Sequence, residues 1–547
     1  MESVEIALLM LLAVVASGYV RRALPFSLPL PLVQIALGMF IAGGLQRGVE
    51  LEPDLFFVLF LPPLLFIDGW RIPNTGLLRD KRIILQLALG LVVFTVLGAG
   101  LFIHWLIPAM PLALAFALAA ILSPTDPVAV NSIAGKVPIP RRLMHILEGE
   151  ALLNDATGLV CFRFALAAAL TGQFSMVGAT LTFLWVALAG VAVGAGVTLG
   201  ISWAQGWLDR RLGDEAGTPI LVNLLIPFGA YLLAELVHAS GILAAVAAGL
   251  TMSYVELNGK AQATTRVQRA AVWDTVHLAL NGTVFVLLGE QLPDIWTGAQ
   301  ASLDGNGPVW RLVAHAVIIC AGLALLRFLW VWVSLRLERL SAKARGQAAP
   351  RAHWLLVLAT SLAGVRGALT LAAVLTLPRH LDNGRPFPHR ELLIFIAAAV
   401  IILSMLVAVL VLPRVLARLE MPDDPTDDIE EDRARHHAAK AAIAAVRSER
   451  HRVAIGVPDD RAYARALGRI VEMYERRLPD EANPRDAAHQ QQVDLAERAL
   501  RLAALEAERD AVFELARRGE ISDQTARRLV HEIDLLEARY RPPPDAV

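Results

Sequence analysis

The chain has 547 residues, of which 56% are hydrophobic and 18% are charged, and its formal net charge is −1. A mean hydropathy of +0.53 excludes a water-soluble globular protein of this length and indicates a multi-span membrane protein. The charge is uneven, because residues 421–547 carry 21 of the 50 Lys and Arg side chains and 27 of the 51 Asp and Glu side chains. The sequence therefore predicts a transmembrane domain over residues 1–420 and a soluble helical C-terminal domain over residues 421–547.

Thirteen apolar stretches, taken in chain order, predict membrane-spanning helices. A helix needs roughly 20 mainly apolar residues to cross a bilayer core about 30 Å thick. Polar or proline-rich breaks separate the stretches. Their approximate cores are 3–20, 29–45, 53–69, 83–108, 111–135, 143–170, 175–206, 218–237, 239–255, 271–291, 309–335, 353–377 and 392–418.

The loops between these spans predict an orientation, since cytoplasmic loops carry an excess of Lys and Arg. Loops after odd-numbered spans are rich in these residues. Loops after even-numbered spans hold almost none, except residues 378–391, which contain Arg379, Arg385 and Arg390. The pattern predicts a multi-pass protein of the cell (inner) membrane with its N-terminus outside and its C-terminal domain in the cytoplasm.

The fifth span contains an ionisable residue between two prolines. Asp126 lies in LSPTDPVAV, flanked by Pro124 and Pro127. Proline removes a backbone donor and clashes with the preceding turn, so we expect the helix to unwind there and expose backbone carbonyls. Broken helices are tolerated at membrane depth only where they line a cavity or are buried in protein. The alternative is an ordinary kinked helix with a hydrogen-bonded Asp126.

The sixth span carries several polar residues in GEALLNDATGLV. Residues three or four apart share a helix face, which places Asn154 with Glu150 and Asp155 with Ala151. An ionised residue at mid-membrane costs at least about 2.5–3.5 kcal/mol, so these groups are expected to face a pocket or a partner. Glu148, near the start of the span, is better explained as a solvated side chain.

Two further charged residues are candidates for function. Arg366 lies between Gly364 and Gly367 in the twelfth span, which predicts a second helix break and a buried carboxylate as its partner. The alternative is an arginine that closes a cytoplasmic water pocket. Asp68, near the cytoplasmic end of the third span, belongs either to an ion pathway or to an interfacial pair with Arg71.

The two interrupted spans occupy matching positions, because the fifth and the twelfth are each fifth in a set of six if the seventh is a linker. Sets of six separated by one span have opposite orientation, as in secondary transporters whose interrupted helices mark a midplane site. Aspartates, an amide and exposed carbonyls offer hard oxygen ligands for a small cation, and protons would compete for them. No nucleotide-binding motif GxxxxGK[ST] occurs, which argues against direct energisation by a nucleotide.

Four motifs, LSPTDPVAV, GEALLNDATGLV, SGILAAVAAGL and AGVRGALTLA, occur in this order within residues 1–420. In them the chain resembles the NhaP-type sodium/proton exchangers of the monovalent cation/proton antiporter superfamily. The resemblance implies a secondary transporter rather than an enzyme, with about thirteen helices in two inverted six-helix repeats and crossing unwound helices. It also implies a homodimer that exchanges a monovalent cation, most often Na⁺, for H⁺, with no cofactor and no nucleic-acid partner.

The resemblance also assigns roles to residues of the fifth and sixth spans. Asp126 and Asp155 would bind the Na⁺ ion and protons, Thr125 would offer its backbone carbonyl, and Asn154 would support the site. The adjacent Asn and Asp resemble the electroneutral branch of the superfamily rather than the electrogenic one.

An ion pair between Glu150 and Arg366 is a further implication of the resemblance, and it would hold the two half-sites together. Two positions depart from the family pattern. Ala151 stands where a serine oxygen is common, so water would replace one ligand. Family members often have an acidic residue directly after PPLLF, but this chain has Ile67 there and the acidic residue one position later, at Asp68. The family role of that acidic residue is therefore not assigned to Asp68 by the resemblance alone.

Other functions stay open from the residues alone. An intramembrane aspartyl protease would need a GxGD-like motif, whereas the two aspartates lie in TDP and ND. A passive channel or receptor is a third class, and residue types do not distinguish Na⁺ from K⁺ or Li⁺. Beyond residue 420, helical patterns occur around 430–453, 460–478, 487–518 and 522–540, with Leu505, Val512, Phe513, Leu535 and Leu536 among the candidates for apolar stripes.

Overall fold

Over the residues that the computed structural model describes, the chain is almost entirely helical. It divides into two compact units, Met1–Met421 and Pro422–Val547. The described residues are 2–24, 28–45, 53–72, 81–126, 141–171, 176–212, 217–257, 263–301, 308–344, 354–380, 385–418, 426–448, 460–475, 484–518 and 520–540.

Each predicted span corresponds to a helix of the first unit, and the predicted all-α membrane fold is confirmed. Within the described ranges, eight helices are long and apolar enough to cross a membrane, and three apolar helices are shorter. The helices are α1 Glu2–Ala23, α2 Leu30–Leu45, α3 Pro53–Arg71, α4 (Lys81–Leu85, a π-helical turn Gln86–Leu91, and Val92–Leu106), α5 Leu112–Leu122, α6 Arg141–Thr171, α7 Met176–Leu212, α8 Thr218–Leu236, α9 Gly241–Leu257, α10 Ala263–Ala301, α11 Trp310–Ala344, α12a Trp354–Leu362, α12b Ala368–Leu375 and α13 Arg390–Leu416.

The helices of the two halves pack in reciprocal pairs. α2 packs against α10, and α3 packs against α9; α1 likewise contacts α10, and α8 contacts α3. Helices α2 and α9 are seven places apart in the chain, and so are α3 and α10. Exchanging each helix for its counterpart therefore converts the α2–α10 pair into the α9–α3 pair. A two-fold relation between α1–α6 and α8–α13 produces this reciprocity, with α7 outside both sets. The packing therefore supports the arrangement of two six-helix repeats.

Glycines allow the closest of these helix pairs to form. A Cβ atom on Gly38 or Gly289 would overlap a backbone carbonyl of the opposite helix in the α2–α10 pair. Gly69 and Gly249 have the same relation in the α3–α9 pair. Small residues let helix backbones approach closely where packing, and not the hydrophobic effect, drives association within a membrane.

Two non-helical segments meet in the middle of the first unit. Residues 123–126 follow α5, and residues 363–367 separate α12a from α12b. The backbone N–H of Asp126 donates to the carbonyl of Val365 at 2.7 Å. Gly367 lies against the Asp126 side chain so closely that a Cβ atom would overlap the carboxylate. Pro127 and the rest of the predicted fifth span lie outside the described residues.

Arg366 satisfies the carbonyl ends of both broken helices. Its side chain is buried, and Nε donates to the carbonyl of Leu122 at 3.0 Å while Nη1 donates to that of Gly364 at 2.6 Å. Its backbone N–H donates to Ser404 Oγ on α13 at 3.2 Å. A helix end leaves unsatisfied carbonyls and a partial negative charge, which a guanidinium compensates. The predicted break is present, but the partners of Arg366 are carbonyls and not a carboxylate.

The partner of Glu150 is Arg327 on α11, so the implied Glu150–Arg366 ion pair is wrong. Both carboxylate oxygens accept from the Arg327 guanidinium, one of them at 2.7 Å from Nη2. Arg327 Nε also donates to the carbonyl of Thr360 at the end of α12a. The side chain passes Gly364, where a Cβ atom would collide with it. This fully buried pair therefore ties α6 to α11 and α12a.

Within its described residues the second unit has four helices, close to the predicted positions: α14 Thr426–Ser448, α15 Asp460–Glu475, α16 Pro484–Arg517 and α17 Asp523–Tyr540. Leu505 and Val512 of α16 are buried in an apolar cluster with α17. Arg509 pairs with Asp534 at 3.1 Å and also with Glu537, which joins the same two helices. Of the other candidates for apolar stripes, Phe513, Leu535 and Leu536 are exposed.

Substitution of Gly367 by Ala is expected to destabilise the first unit, because the added methyl overlaps Asp126. Overpacking of this kind costs about 1–3 kcal/mol. Thermal unfolding of the purified protein in detergent should show a lower midpoint for Gly367→Ala. Gly200→Ala on α7 is the matched control, because nothing lies within 4 Å of its added Cβ atom. Equal midpoints for the two variants would contradict the close crossing.

A double-mutant cycle should separate the two candidate partners of Glu150. Removing one member of a buried ion pair strands the other charge and costs about 3–5 kcal/mol. We therefore expect Glu150→Gln and Arg327→Met to lower the unfolding midpoint singly and to be strongly non-additive together. Glu150→Gln and Arg366→Met should be closer to additive. Stronger coupling of Glu150 to Arg366 than to Arg327 would contradict the observed pairing.

Candidate functional site

A cavity of about 370 Å³ lies beside the crossing of the two broken helices. Its walls come from α3, residues 124–126, α6, α10, Gly367 and α12b, so both repeats contribute. The lining combines apolar side chains with one set of polar side chains. These are Asp68, Arg71, Thr125, Asp126, Glu148, Asp155, His277, Asn281 and Thr370.

The structure brings the two predicted ligands, Asp126 and Asp155, to the same cavity. Asp126 comes from the broken end of α5, and Asp155 from the middle of α6, where it shares a face with Ala151 as predicted. Asp68 on α3 is a third carboxylate, close enough to the other two to interact electrostatically. Like charges in a confined space repel one another. A bound cation or proton therefore relieves the repulsion.

The position of Asp126 also favours a negative charge. Its carboxylate lies against Gly367, the residue that precedes α12b. The N-terminal end of a helix carries a partial positive charge and free N–H groups, which stabilise a nearby anion. The broken twelfth span thus supports the acidic residue of the broken fifth span.

Asn154 acts behind the cavity and does not line it. Its side chain is buried, and Nδ2 donates to Thr125 Oγ1 at 2.9 Å. Through this bond, α6, which carries Asp155, holds Thr125, the residue immediately before Asp126. Thr125 itself lines the cavity, and the implied use of its backbone carbonyl as a ligand stays a prediction.

The two departures from the family pattern have different outcomes. Ile67 is fully buried and belongs to an apolar cluster with Phe66 and Trp273. The next residue, Asp68, lines the cavity. The one-residue shift therefore still leaves an acidic side chain of α3 in the cavity. Ala151 also lines it and contributes only a methyl group.

Several lining residues were missed or undervalued by sequence reasoning. Glu148, interpreted as a solvated side chain, lines the cavity. Arg71 pairs with Asp274 of α10 and not with Asp68. His277 and Asn281 of α10 also line the cavity. The polar residues at 274, 277 and 281 follow a helical spacing of three and four, and this stripe in an otherwise apolar span was the signal available.

Comparison with known proteins identifies the family. The family model described as "Sodium/hydrogen exchanger, transmembrane" matches residues 8–418. The chain is 41% identical to the uncharacterised Na⁺/H⁺ exchanger YjcE of Escherichia coli K12, over 98% of this chain and 99% of that protein. It is 38% identical to the "Sodium, potassium, lithium and rubidium/H(+) antiporter" of Bacillus pumilus, over 97% of this chain and 78% of that protein.

The fold agrees with that of a solved antiporter. The structure of MjNhaP1, a sodium proton antiporter from Methanocaldococcus jannaschii, matches with a TM-score of 0.58 at 18% identity and covers 77% of this chain and 99% of that one. The family match extends over nearly all of the first unit and includes every residue of the cavity. The chain therefore belongs to the sodium/hydrogen exchanger family of membrane-embedded cation/proton antiporters, which are transporters and not enzymes.

Proposed function

We propose that the chain exchanges Na⁺ for H⁺ at the cavity, with Asp126 and Asp155 as the groups that bind both ions. One observation carries the proposal: Asp126, from the broken end of α5, and Asp155, from α6, line the same cavity inside an apolar domain. Thr125 and Asn154 hold Asp126 in place. Asp68, at the cytoplasmic end of α3 by the loop charges, is proposed to guide cations into the cavity.

Competition between the two ions provides the coupling. An empty site with two ionised carboxylates is the costly state inside a membrane. Loading by a cation or by a proton reduces that cost, so the site crosses the barrier between the two sides of the membrane only when it is occupied. Because both ions use the same oxygens, the gradient of one drives the movement of the other without a nucleotide.

We propose that exchange is electroneutral. Asn154 is neutral and does not titrate, and its amide nitrogen donates to Thr125 Oγ1, so it adds no second ionisable group beside Asp155. The guanidinium of Arg366 stays bonded to the helix ends and does not enter the exchange. One proton then replaces one monovalent cation on the same carboxylates.

The choice of cation has a second candidate. The cavity offers carboxylate and neutral oxygens, which bind any small hard cation. The B. pumilus relative carries K⁺, Li⁺ and Rb⁺ beside Na⁺ in its name, which favours K⁺ or Li⁺ exchange as the alternative. Proton flux in vesicles under imposed Na⁺, K⁺ and Li⁺ gradients compares the three directly.

We further propose a homodimer in the cell (inner) membrane, with the N-terminus outside and the second unit in the cytoplasm. The orientation is supported by the excess of Lys and Arg in the loops after odd-numbered spans. Family membership supports the homodimer.

Replacement of Asp155 by Asn should abolish exchange in reconstituted vesicles. The amide keeps the shape of the side chain but can neither release a proton nor neutralise a cation. Na⁺-driven proton flux is expected to fall to the rate of protein-free vesicles. Asp294→Asn is the matched control, because Asp294 is an exposed residue of α10 outside the cavity. If Asp155→Asn exchanged as fast as wild type, this site assignment would be lost.

An imposed membrane potential should leave the exchange rate unchanged. A cycle that moves one positive charge each way carries no net charge, so the potential does no work on it. The measurement is the initial rate of Na⁺-driven proton flux in vesicles clamped at zero and at about 100 mV, a potential worth about 2.3 kcal/mol per net charge. A rate that follows the sign of the potential would exclude one-for-one exchange.

A further inference from the structure

One residue that lines the cavity carries a hydroxyl group with no hydrogen-bond partner in the described part of the chain. Thr370 lies on α12b with a relative exposure of 2%, and it lines the cavity. Its Oγ1 is buried and makes no hydrogen bond to any described residue. Buried polar groups in native proteins are nearly always paired, and a group left unpaired costs stability. An unpaired oxygen on a residue that lines a cavity therefore points to a ligand.

The helix break explains why this hydroxyl is free. Helical threonines usually donate to the carbonyl four residues earlier. Thr157, Thr283 and Thr360 all do so in this protein, at 2.7–2.9 Å. For Thr370 that carbonyl belongs to Arg366, which lies in the non-helical segment before α12b begins at Ala368. The interruption thus removes the usual acceptor of the hydroxyl.

The same break positions Thr370 beside the acidic ligands. Residues three apart share a helix face, so Thr370 lies on the same face as Gly367. Gly367 lies against the Asp126 carboxylate. Across the cavity, α6 presents Asp155 and, one turn earlier, the methyl group of Ala151. The α12b side therefore contributes a neutral oxygen, whereas the α6 side contributes only carboxylate oxygens.

We propose that the Thr370 hydroxyl is an oxygen ligand of the transported cation and contributes to the choice among monovalent cations. The inference rests on the proposed exchange at this cavity. A small cation is surrounded by several oxygen ligands, whereas a proton needs one carboxylate oxygen. A neutral oxygen therefore stabilises the cation-loaded state of the site more than the protonated state. Because it carries no charge, it does so without changing the stoichiometry.

The test compares Thr370→Val with Thr370→Ser in reconstituted vesicles. Valine keeps the shape and removes the hydroxyl, so the apparent KM for Na⁺ should rise roughly tenfold, the effect of one lost buried polar contact. The maximal rate and its dependence on proton concentration should change less than about twofold. Thr370→Ser keeps the hydroxyl and should retain a KM near that of wild type. The relative KM values for Na⁺, K⁺ and Li⁺ should also change in Thr370→Val only.

Thr283→Val is the matched control, because its hydroxyl is buried in α10 but bonded within its own helix. Its KM for each cation should equal that of wild type. A structural role for Thr370 has a different signature. If the hydroxyl had a structural partner, Thr370→Val would unfold at a lower temperature in cation-free detergent. The proposal expects no such fall, since an unpaired buried hydroxyl gives way to a methyl group.

Cation binding can be measured without transport. A ligand that binds only the folded state raises the unfolding midpoint, so Na⁺ should stabilise wild type and Thr370→Ser more than Thr370→Val. Unchanged KM values and unchanged Na⁺ stabilisation in Thr370→Val would overturn the role of Thr370 while leaving the exchange intact. If wild type moved no protons under any cation gradient, the proposed function would fail, and this inference with it.

Discussion

Helix ends buried in an apolar domain must be satisfied, and this constraint shapes the centre of the protein. Two broken helices meet there, and their exposed carbonyls need hydrogen-bond donors within the domain. Arg366 donates to Leu122 at the end of α5 and to Gly364 just after α12a, and the N–H of Asp126 donates to Val365. Without these bonds the unsatisfied carbonyls would destabilise the crossing of the two broken helices. The cavity, its carboxylates and the free hydroxyl all depend on it.

The charged residues around the crossing fall into two groups. Glu150 and Arg327 bind each other, and Arg366 binds carbonyls, so these three charges are committed to the structure. Asp126 and Asp155 line the cavity. In the proposed exchange, this separation would let the ions replace one another on two carboxylates while the surrounding charges stay fixed. A helix N-terminus beside Asp126 and the amide of Asn154 behind it complete the positioning.

Local patterns predicted much of this arrangement. Proline on both sides of Asp126 and glycine on both sides of Arg366 predicted the two breaks, because these residues act on their own turn of helix. The spacing of Ala151 and Asp155 predicted their shared face. The partner of Glu150 could not be predicted in the same way, because Arg327 is 177 residues away and Arg366 is an equally plausible cation. The position of Arg327 within the eleventh span, well inside its apolar core, was the available clue.

The sequence by itself determined the membrane class, the order of the described helices, the two breaks and the two aspartates, Asp126 and Asp155, that line the cavity. These follow from hydropathy, helix breakers and periodicity, which act over one or two turns of helix. Only the tertiary structure decided which charges pair, that Asp68 rather than Ile67 reaches the cavity, and that the Thr370 hydroxyl has no partner among the described residues. Those facts depend on contacts between distant helices. Several chemically equivalent partners compete for each group, and the packing geometry selects among them.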